Sequence, residues 1–264
     1  MQSYNYDAIK YRGDTSNKIS ESLVVEAALQ ININDEPYTV VMRTPGDDEY
    51  LVRGLLYAED IYKRSEDLQL EVVEQKENGF AIINAEIPKE KLGKGYMNKR
   101  TLLSVSSCGI CGKQELSDIE ISGPSIEHER KVSLRAIKAM YADMKSTQLL
   151  FEKTGGSHAT AAFDNHGTML SLKEDIGRHN ALDKVVGELL NTKKLQEAIC
   201  VLVSGRISYE IVSKAFIAKI PTIVAVSACS SLAVDFAKEL GLCVIGFNRG
   251  DKATVYANPN YIKK

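Results

Sequence analysis

The chain has 264 residues, room for one large domain or two ordinary ones at roughly 100–200 residues each. A 44% hydrophobic fraction supports a sizeable core and excludes global disorder. No apolar run reaches the ~18 residues of a membrane span, and a net charge of −2 gives no bulk attraction to nucleic acid or anionic lipid.

The near-zero total hides a split. Residues 1–130 hold 15 Lys and Arg against 23 Asp and Glu, a balance of −8, whereas residues 131–264 hold 18 against 12, a balance of +6. Such asymmetry fits an anionic ligand or partner for the second half, or two solvated surfaces that differ by chance. The start, MQSYNYDAIKYRG, is polar and lacks the apolar centre of a signal peptide, so a cytoplasmic location is expected.

After this short polar arm, Leu23–Ile33 and Tyr38–Arg43 read as strands about the turn Asn34-Asp35-Glu36-Pro37. Thr44-Pro45-Gly46-Asp47-Asp48-Glu49 opens a helix with Thr44 as its cap, Pro45 in the first turn and acids at its positive end; Leu51, Val52, Leu55 and Leu56 form the buried stripe. Leu68–Gln75 and Phe80–Ile87 pair across Asn78-Gly79. Lys89–Arg100 reads as a surface loop, and Thr101–Ser106 as a short strand.

The second half alternates. Helices are expected over Leu134–Thr147 (capped by Ser133), Asn180–Leu190, Tyr209–Ala218 and Leu232–Leu240 (ended by Gly241). Strands are expected over Ala159–Phe163, Met169–Leu172, Ile199–Val203, Thr222–Val226 and Leu242–Phe247. This is an α/β pattern with parallel segments and helices on the sheet faces, in which ligands gather at strand ends. Two domains follow: a β-rich unit over 1–130 and an α/β unit over 131–264.

Of five cysteines, Cys200, Cys229 and Cys243 lie in or beside apolar runs and read as small core residues. Cys108 and Cys111, in Ser107-Cys-Gly-Ile-Cys-Gly112, stand apart. Two thiols at i and i+3 can form a local disulfide, share a metal, or act as nucleophile and assistant. A structural zinc needs four ligands, and no second Cys-x-x-Cys exists, so no metal is expected. Glycines at 109 and 112 favour a mobile loop carrying reactive thiols, which a redox-active pair or a nucleophile with two partners would use.

Four further stretches fall at predicted strand ends. Thr154-Gly-Gly-Ser-His158 brings backbone and His158 close to a ligand, or is a plain turn. Glu174-Asp-Ile-Gly-Arg-His-Asn180, with Asp183 and Lys184, offers Arg178 as an anion fork and His179 as a proton carrier. Ser204-Gly-Arg-Ile-Ser208 offers Arg206 at an anion-friendly turn. Phe247, Asn248, Arg249, Gly250, Asp251 and Lys252 combine an aromatic face, guanine-reading groups and cations, or form a solvated turn.

Together with Arg43-Thr-Pro-Gly-Asp-Asp-Glu49 and Gly246-Phe-Asn-Arg249, these stretches resemble, in order, the FdhD family of formate dehydrogenase accessory proteins. The resemblance implies a cytidine-deaminase-like three-layer second domain with a mixed sheet, preceded by a smaller β-rich domain, in a homodimer. It implies a sulfurtransferase that accepts persulfide sulfur from a cysteine desulfurase. That sulfur would pass to the molybdenum bis-guanine-dinucleotide cofactor, as bound client, before insertion into formate dehydrogenase. Cys108 would then carry the persulfide, Cys111 would assist, and Phe247–Lys252 would hold the cofactor, with His158, Arg178, His179 and Arg206 as additional site residues. The zinc signature of the deaminases, His-x-Glu with Pro-Cys-x-x-Cys, is missing from the chain. The competing readings are a dithiol oxidoreductase or redox sensor, and a non-enzymatic cofactor chaperone.

Overall fold

A computed structural model describes residues 1–64, 66–97, 123–129, 131–249 and 252–263. Cys108, Cys111, Gly250, Asp251 and the expected strand Thr101–Ser106 lie outside the described residues. The first element is an antiparallel ribbon of β1 (Ser3–Arg12) and β2 (Thr15–Val24), without a third strand among the described residues. Every residue from Tyr4 to Lys18 is exposed, so neither face carries the alternation that marks a strand in sequence; the expected polar arm is instead a hairpin. At its base Val24 packs against Gly156, where a Cβ would come within 2.9 Å of the valine.

A four-stranded sheet follows, in the order β4 (Glu36–Arg43), β3 (Ala27–Ile33), β6 (Ala81–Glu86), β5 (Gln69–Gln75). The continuous strand expected over Leu23–Ile33 is broken at Val25-Glu26. Asn34 and Asp35 both take left-handed backbone angles (φ 52° and 67°), the tight hairpin turn their side chains favour. Leu29, Ile31 and Ile33 of β3 and Ile83 and Ala85 of β6 pack onto Leu51, Val52, Leu55 and Leu56 of α1 (Asp48–Ala58).

A short strand, β7 (Val132–Ser133), leads into α2 (Leu134–Thr147), capped by Ser133, whose Oγ accepts from Ala136 N. The main sheet has six strands, ordered β13 (Lys252–Ala257), β12 (Cys243–Arg249), β11 (Thr222–Ala225), β10 (Cys200–Val203), β8 (His158–Phe163), β9 (Met169–Asp175). β10, β11 and β12 run parallel; β8, β9 and β13 join antiparallel, giving a mixed sheet. Val201, Val203, Ile223 and Val244 face α4 (Arg178–Asn191), α5 (Tyr209–Ile217) and α6 (Ser231–Leu240). Cys200, Leu202, Val224 and Ile245 face Ile137, Met140 and Met144 of α2. Helix, sheet and helix thus make three layers. The last strand, β14 (Ile262–Lys263), pairs with β7, and α3 (Leu149–Thr154) follows α2 directly.

Helices α1 and α4 join the two sheets. Both are buried nearly all round, over Leu51–Leu56 and His179–Gly187, as expected of a helix with protein on every side. They approach through reciprocal glycines: a Cβ on Gly54 would lie 1.9 Å from the Asp183 carbonyl oxygen, and one on Gly187 would lie 1.9 Å from that of Tyr50. Either Gly54→Ala or Gly187→Ala should therefore cost about 3 kcal/mol by overpacking. A urea unfolding midpoint equal to that of the parent chain would refute the crossing as drawn.

Candidate functional site

The topology brings the expected strand-end motifs together. The parallel strands β10, β11 and β12 finish at one edge of the sheet, at Ser204, Val226 and the Phe247–Arg249 segment. β8 begins there with His158, opposite Asp175 at the end of β9, and β13 begins there with Lys252, paired with Arg249. His158, Arg178, His179, Arg206 and the described part of the 247–252 stretch therefore share one edge, where ligands of open α/β sheets collect.

Much of the Glu174–Lys184 stretch is a frame. Glu174 accepts from Leu150 N and Phe151 N, both at 2.8 Å, and from Ser157 Oγ, so it caps α3. Asp175 and Lys184 are fully buried and form an ion pair at 2.8 Å. Asp175 also accepts from Thr44 N, Gly177 N and Asn180 Nδ2, and Lys184 Nζ donates to Thr44 O. Thr44 does not cap α1 as its sequence position predicts. Its Oγ1 accepts from Ile176 N, and α1 begins after Asp47 without a side-chain cap. The buried charge at Asp175 claims the Thr44 backbone, while Asp48 in the first turn takes a two-pronged bond from the buried Arg43 guanidinium.

Arg178 and His179, at the start of α4, are what this frame presents. The Arg178 Nε is buried and has no hydrogen-bond partner among the described residues. His179 Nε2 lies 2.8 Å from Glu210 Oε2 and 3.2 Å from Ser208 Oγ. Ser208 closes the Ser204–Ser208 stretch singled out in the sequence, whereas Glu210 carried no spacing signal that sequence reading could use. His158 Nδ1 lies 3.3 Å from Ser204 Oγ, which also accepts from Ala159 N. Gly205 keeps these groups close: a Cβ there would sit 3.3 Å from Arg178 Cδ and 3.4 Å from His158 Nδ1. Burial, then the charges of Arg178 and His179, hold the His158 imidazole below its ordinary pKa. Arg206 is exposed beside this cluster.

Strand β12 supplies the aromatic. Phe247 has φ 50°, rare for a bulky residue, and its ring is 43% exposed. A register shift between Gly246 and Arg249 accompanies this turn, and Phe247 N donates to Ser227 O at 3.0 Å. Asn248 is buried and Lys252 exposed. Cys229 lies behind the segment, where a Cβ on Gly246 would fall 3.0 Å from its sulfur. Burial pushes the Cys229 thiol up to about 11 and Cys243 up to about 12, and raises Cys200 as well. A cleft of about 900 Å³ between α2, α3 and the sheet also opens on this edge, at His158 and Ser204. Among the described residues no group of three or more His, Cys, Asp or Glu is placed to hold a metal ion.

His158 gives a direct test. Its folded-state pKa lies below the ordinary 6.5, so the fold binds fewer protons there than the unfolded chain does. The stability this contributes is complete above the unfolded value and is lost as pH falls through and below it. NMR titration should place the His158 midpoint under 6.5, and Arg178→Ala should raise it. A midpoint that ignores Arg178→Ala would show that the two groups are not coupled.

Comparisons with known proteins identify the family. The FdhD/NarQ family model matches residues 24–263. Relatives named sulfur carrier protein FdhD include those of Streptomyces avermitilis (36% identical, covering 96% of this chain and 93% of the relative) and Sulfolobus acidocaldarius (39%, covering 92% of each). That of Mycobacterium tuberculosis is 40% identical, again over 92% of each chain. A crystal structure described as that of a formate dehydrogenase accessory protein from Desulfotalea psychrophila shares the fold, with a TM-score of 0.77, 22% identity and complete coverage of both chains. By the extent of the family match and the identity to these relatives, the chain belongs to the FdhD/NarQ family.

Proposed function

We propose that this protein is a sulfur carrier serving formate dehydrogenase. It would take sulfane sulfur from a cysteine desulfurase and deliver it to a molybdenum bis-guanine-dinucleotide client. The observation that carries this reading is the gathering of Arg178, His158, Phe247, Asn248 and Lys252 on one sheet edge of a chain whose relatives are named sulfur carriers. A guanidinium whose buried Nε has no partner among the described residues, and an exposed ring, suit a ligand with phosphates and a purine. The cluster lies in the half of the chain with a charge balance of +6.

The chemistry assigned to the thiols is nucleophilic. A Cys108 thiolate attacks the outer sulfur of the donor's persulfide, the donor's S–S bond breaks, and the donor cysteine leaves as thiolate. Cys108 then bears –S–SH. Attack by a Cys111 thiolate on the inner sulfur expels hydrosulfide to the client and leaves a Cys108–Cys111 disulfide, which an external dithiol reduces before the next cycle. The pairing with a second copy of the chain, and the cytoplasmic setting, belong to the same proposal. No helix among the described residues is long and apolar enough to cross a membrane.

Incubation with a cysteine desulfurase and cysteine should add one sulfur, about 32 Da, to the intact mass. Cys108→Ala should abolish the adduct. An ordinary intramolecular disulfide with no sulfur adduct would instead identify a dithiol oxidoreductase. Separately, Lys252→Glu should weaken GDP binding about tenfold in calorimetry; an unchanged affinity would remove the 247–252 segment from the site.

A further inference from the structure

The β1–β2 ribbon takes no part in the sheet-edge site. It leaves the body at Val24, which packs on Gly156, and at Gln2, whose Nε2 donates to Pro45 O at 3.1 Å. Further out its bonds are within the ribbon: Ser22 Oγ donates to Asn5 Oδ1, and Lys10 pairs with Glu21 at 3.2 Å. A two-stranded ribbon is marginal in water, and a sheet needs three or more strands with an apolar face to stand alone. Tyr4, Tyr6, Ile9, Tyr11 and Leu23 are nevertheless held in the open, Tyr11 with 73% of its surface exposed.

Folded chains normally blunt an open strand edge with a bulge, a proline or a short strand. β5, at the edge of the four-stranded sheet, follows that rule with a register shift between Val72 and Glu74. β1 does not. Its ten residues contain neither proline nor glycine, and they run in unbroken register with β2 from Ser3 to Arg12. β2 is the strand that meets α3 and Gly156 at the base, so β1 presents the outer edge. Burial does not tell the ribbon's faces apart, but chemistry does. Tyr4, Tyr6, Ala8, Lys10 and Arg12 alternate along β1 and so share one face. The half nearer the base is aromatic, the half nearer the turn is cationic, and Ala8 lies between them.

Such a strand is complementary to itself when two copies run antiparallel about Ala8. Tyr4 then lies opposite Arg12 of the second copy and Tyr6 opposite its Lys10, a cation against a ring each time. The two Ala8 residues face each other on the two-fold axis, and no like charges are opposed between Tyr4 and Arg12. We infer that β1 pairs in this register with β1 of a second copy, joining two ribbons into one four-stranded sheet. The inference rests on the pairing with a second copy proposed above and names where it occurs. Four strands meet the requirement that two do not, and the open tyrosines gain cross-strand partners.

Sedimentation velocity on the full chain tests this, with melting temperatures recorded for each variant. Tyr6→Lys sets a cation opposite Lys10 of the second copy and should raise the dimer dissociation constant about tenfold. Adding Lys10→Glu to that variant restores opposite charges across the axis and should recover most of the loss. Ala8→Cys brings two thiols together at the axis, where opposed residues have Cα atoms about 4.5–5.5 Å apart, within disulfide range. Air oxidation should then link two copies, and trypsin should release the Met1–Lys10 peptide as a disulfide-joined pair. A dimer that ignores Tyr6→Lys, or an Ala8→Cys chain that forms no link through position 8, would overturn the inference and leave the pairing itself in place. A parent chain that stays monomeric would overturn both. The sulfur-adduct measurement reads the thiols alone, so a failure of sulfur carriage is told apart from a failure of the ribbon.

Discussion

Lys184 carries its charge to a position without solvent, and the chain meets it with Asp175 at 2.8 Å and the Thr44 carbonyl at 2.9 Å. A buried pair of this kind is weak evidence for stability, because desolvating two charges offsets most of their attraction. Its effect here is on registry. Asp175 ends β9, Lys184 lies two turns into α4, and Thr44 ends the chain segment leaving β4, so one pair ties three parts of the molecule to a single geometry. The reciprocal glycines of α1 and α4 act in the same place: with backbone touching backbone, the helices cannot slide without the pair losing its partners.

That frame explains why Arg178 and His179 are available for chemistry. Between Asp175 and Asn180 every strong local bond is already assigned, through Gly177 N, Asn180 Nδ2 and the Thr44 backbone. The Arg178 Nε is left without a mate, and His179 turns to Ser208 and Glu210 on the next strand-to-helix turn. An arginine whose buried Nε has no partner among the described residues keeps a donor for an incoming anion. Burial, and then this same arginine, hold the His158 imidazole below its ordinary pKa, so the edge sets a fixed cation beside a ring whose protonation is disfavoured.

Local signals were legible in the sequence and long-range ones were not. Ser133 caps its helix, Gly241 ends α6 in a left-handed conformation, and Asn78-Gly79 turns the β5–β6 hairpin, each a bond or angle decided within a few residues. Thr44 misleads because its competitor, Asp175, is 131 residues away. The β1–β2 ribbon was invisible because it has no core face to impose alternation. At the site, strand-end placement located Arg178, His158 and Phe247, since loops follow parallel strands by rule. Glu210 escaped notice: a carboxylate on a helix is ordinary in sequence and becomes informative only when burial leaves it facing a histidine.

The cysteines complete the physical argument. A chain that passes sulfur between thiols is exposed to losing it to its own spare thiols, because exchange proceeds by attack of a thiolate. Cys229, at about 11, is almost wholly protonated near neutrality, with a thiolate fraction on the order of one in ten thousand. Cys243 is lower still, and Cys200 is fully buried. Desolvation in the sheet and behind Gly246 is therefore the main cause that silences three of the five thiols. Under the sulfur-carrier proposal, with Cys108 and Cys111 as the working thiols, each of these three competing thiols lies where a thiolate is costly to form.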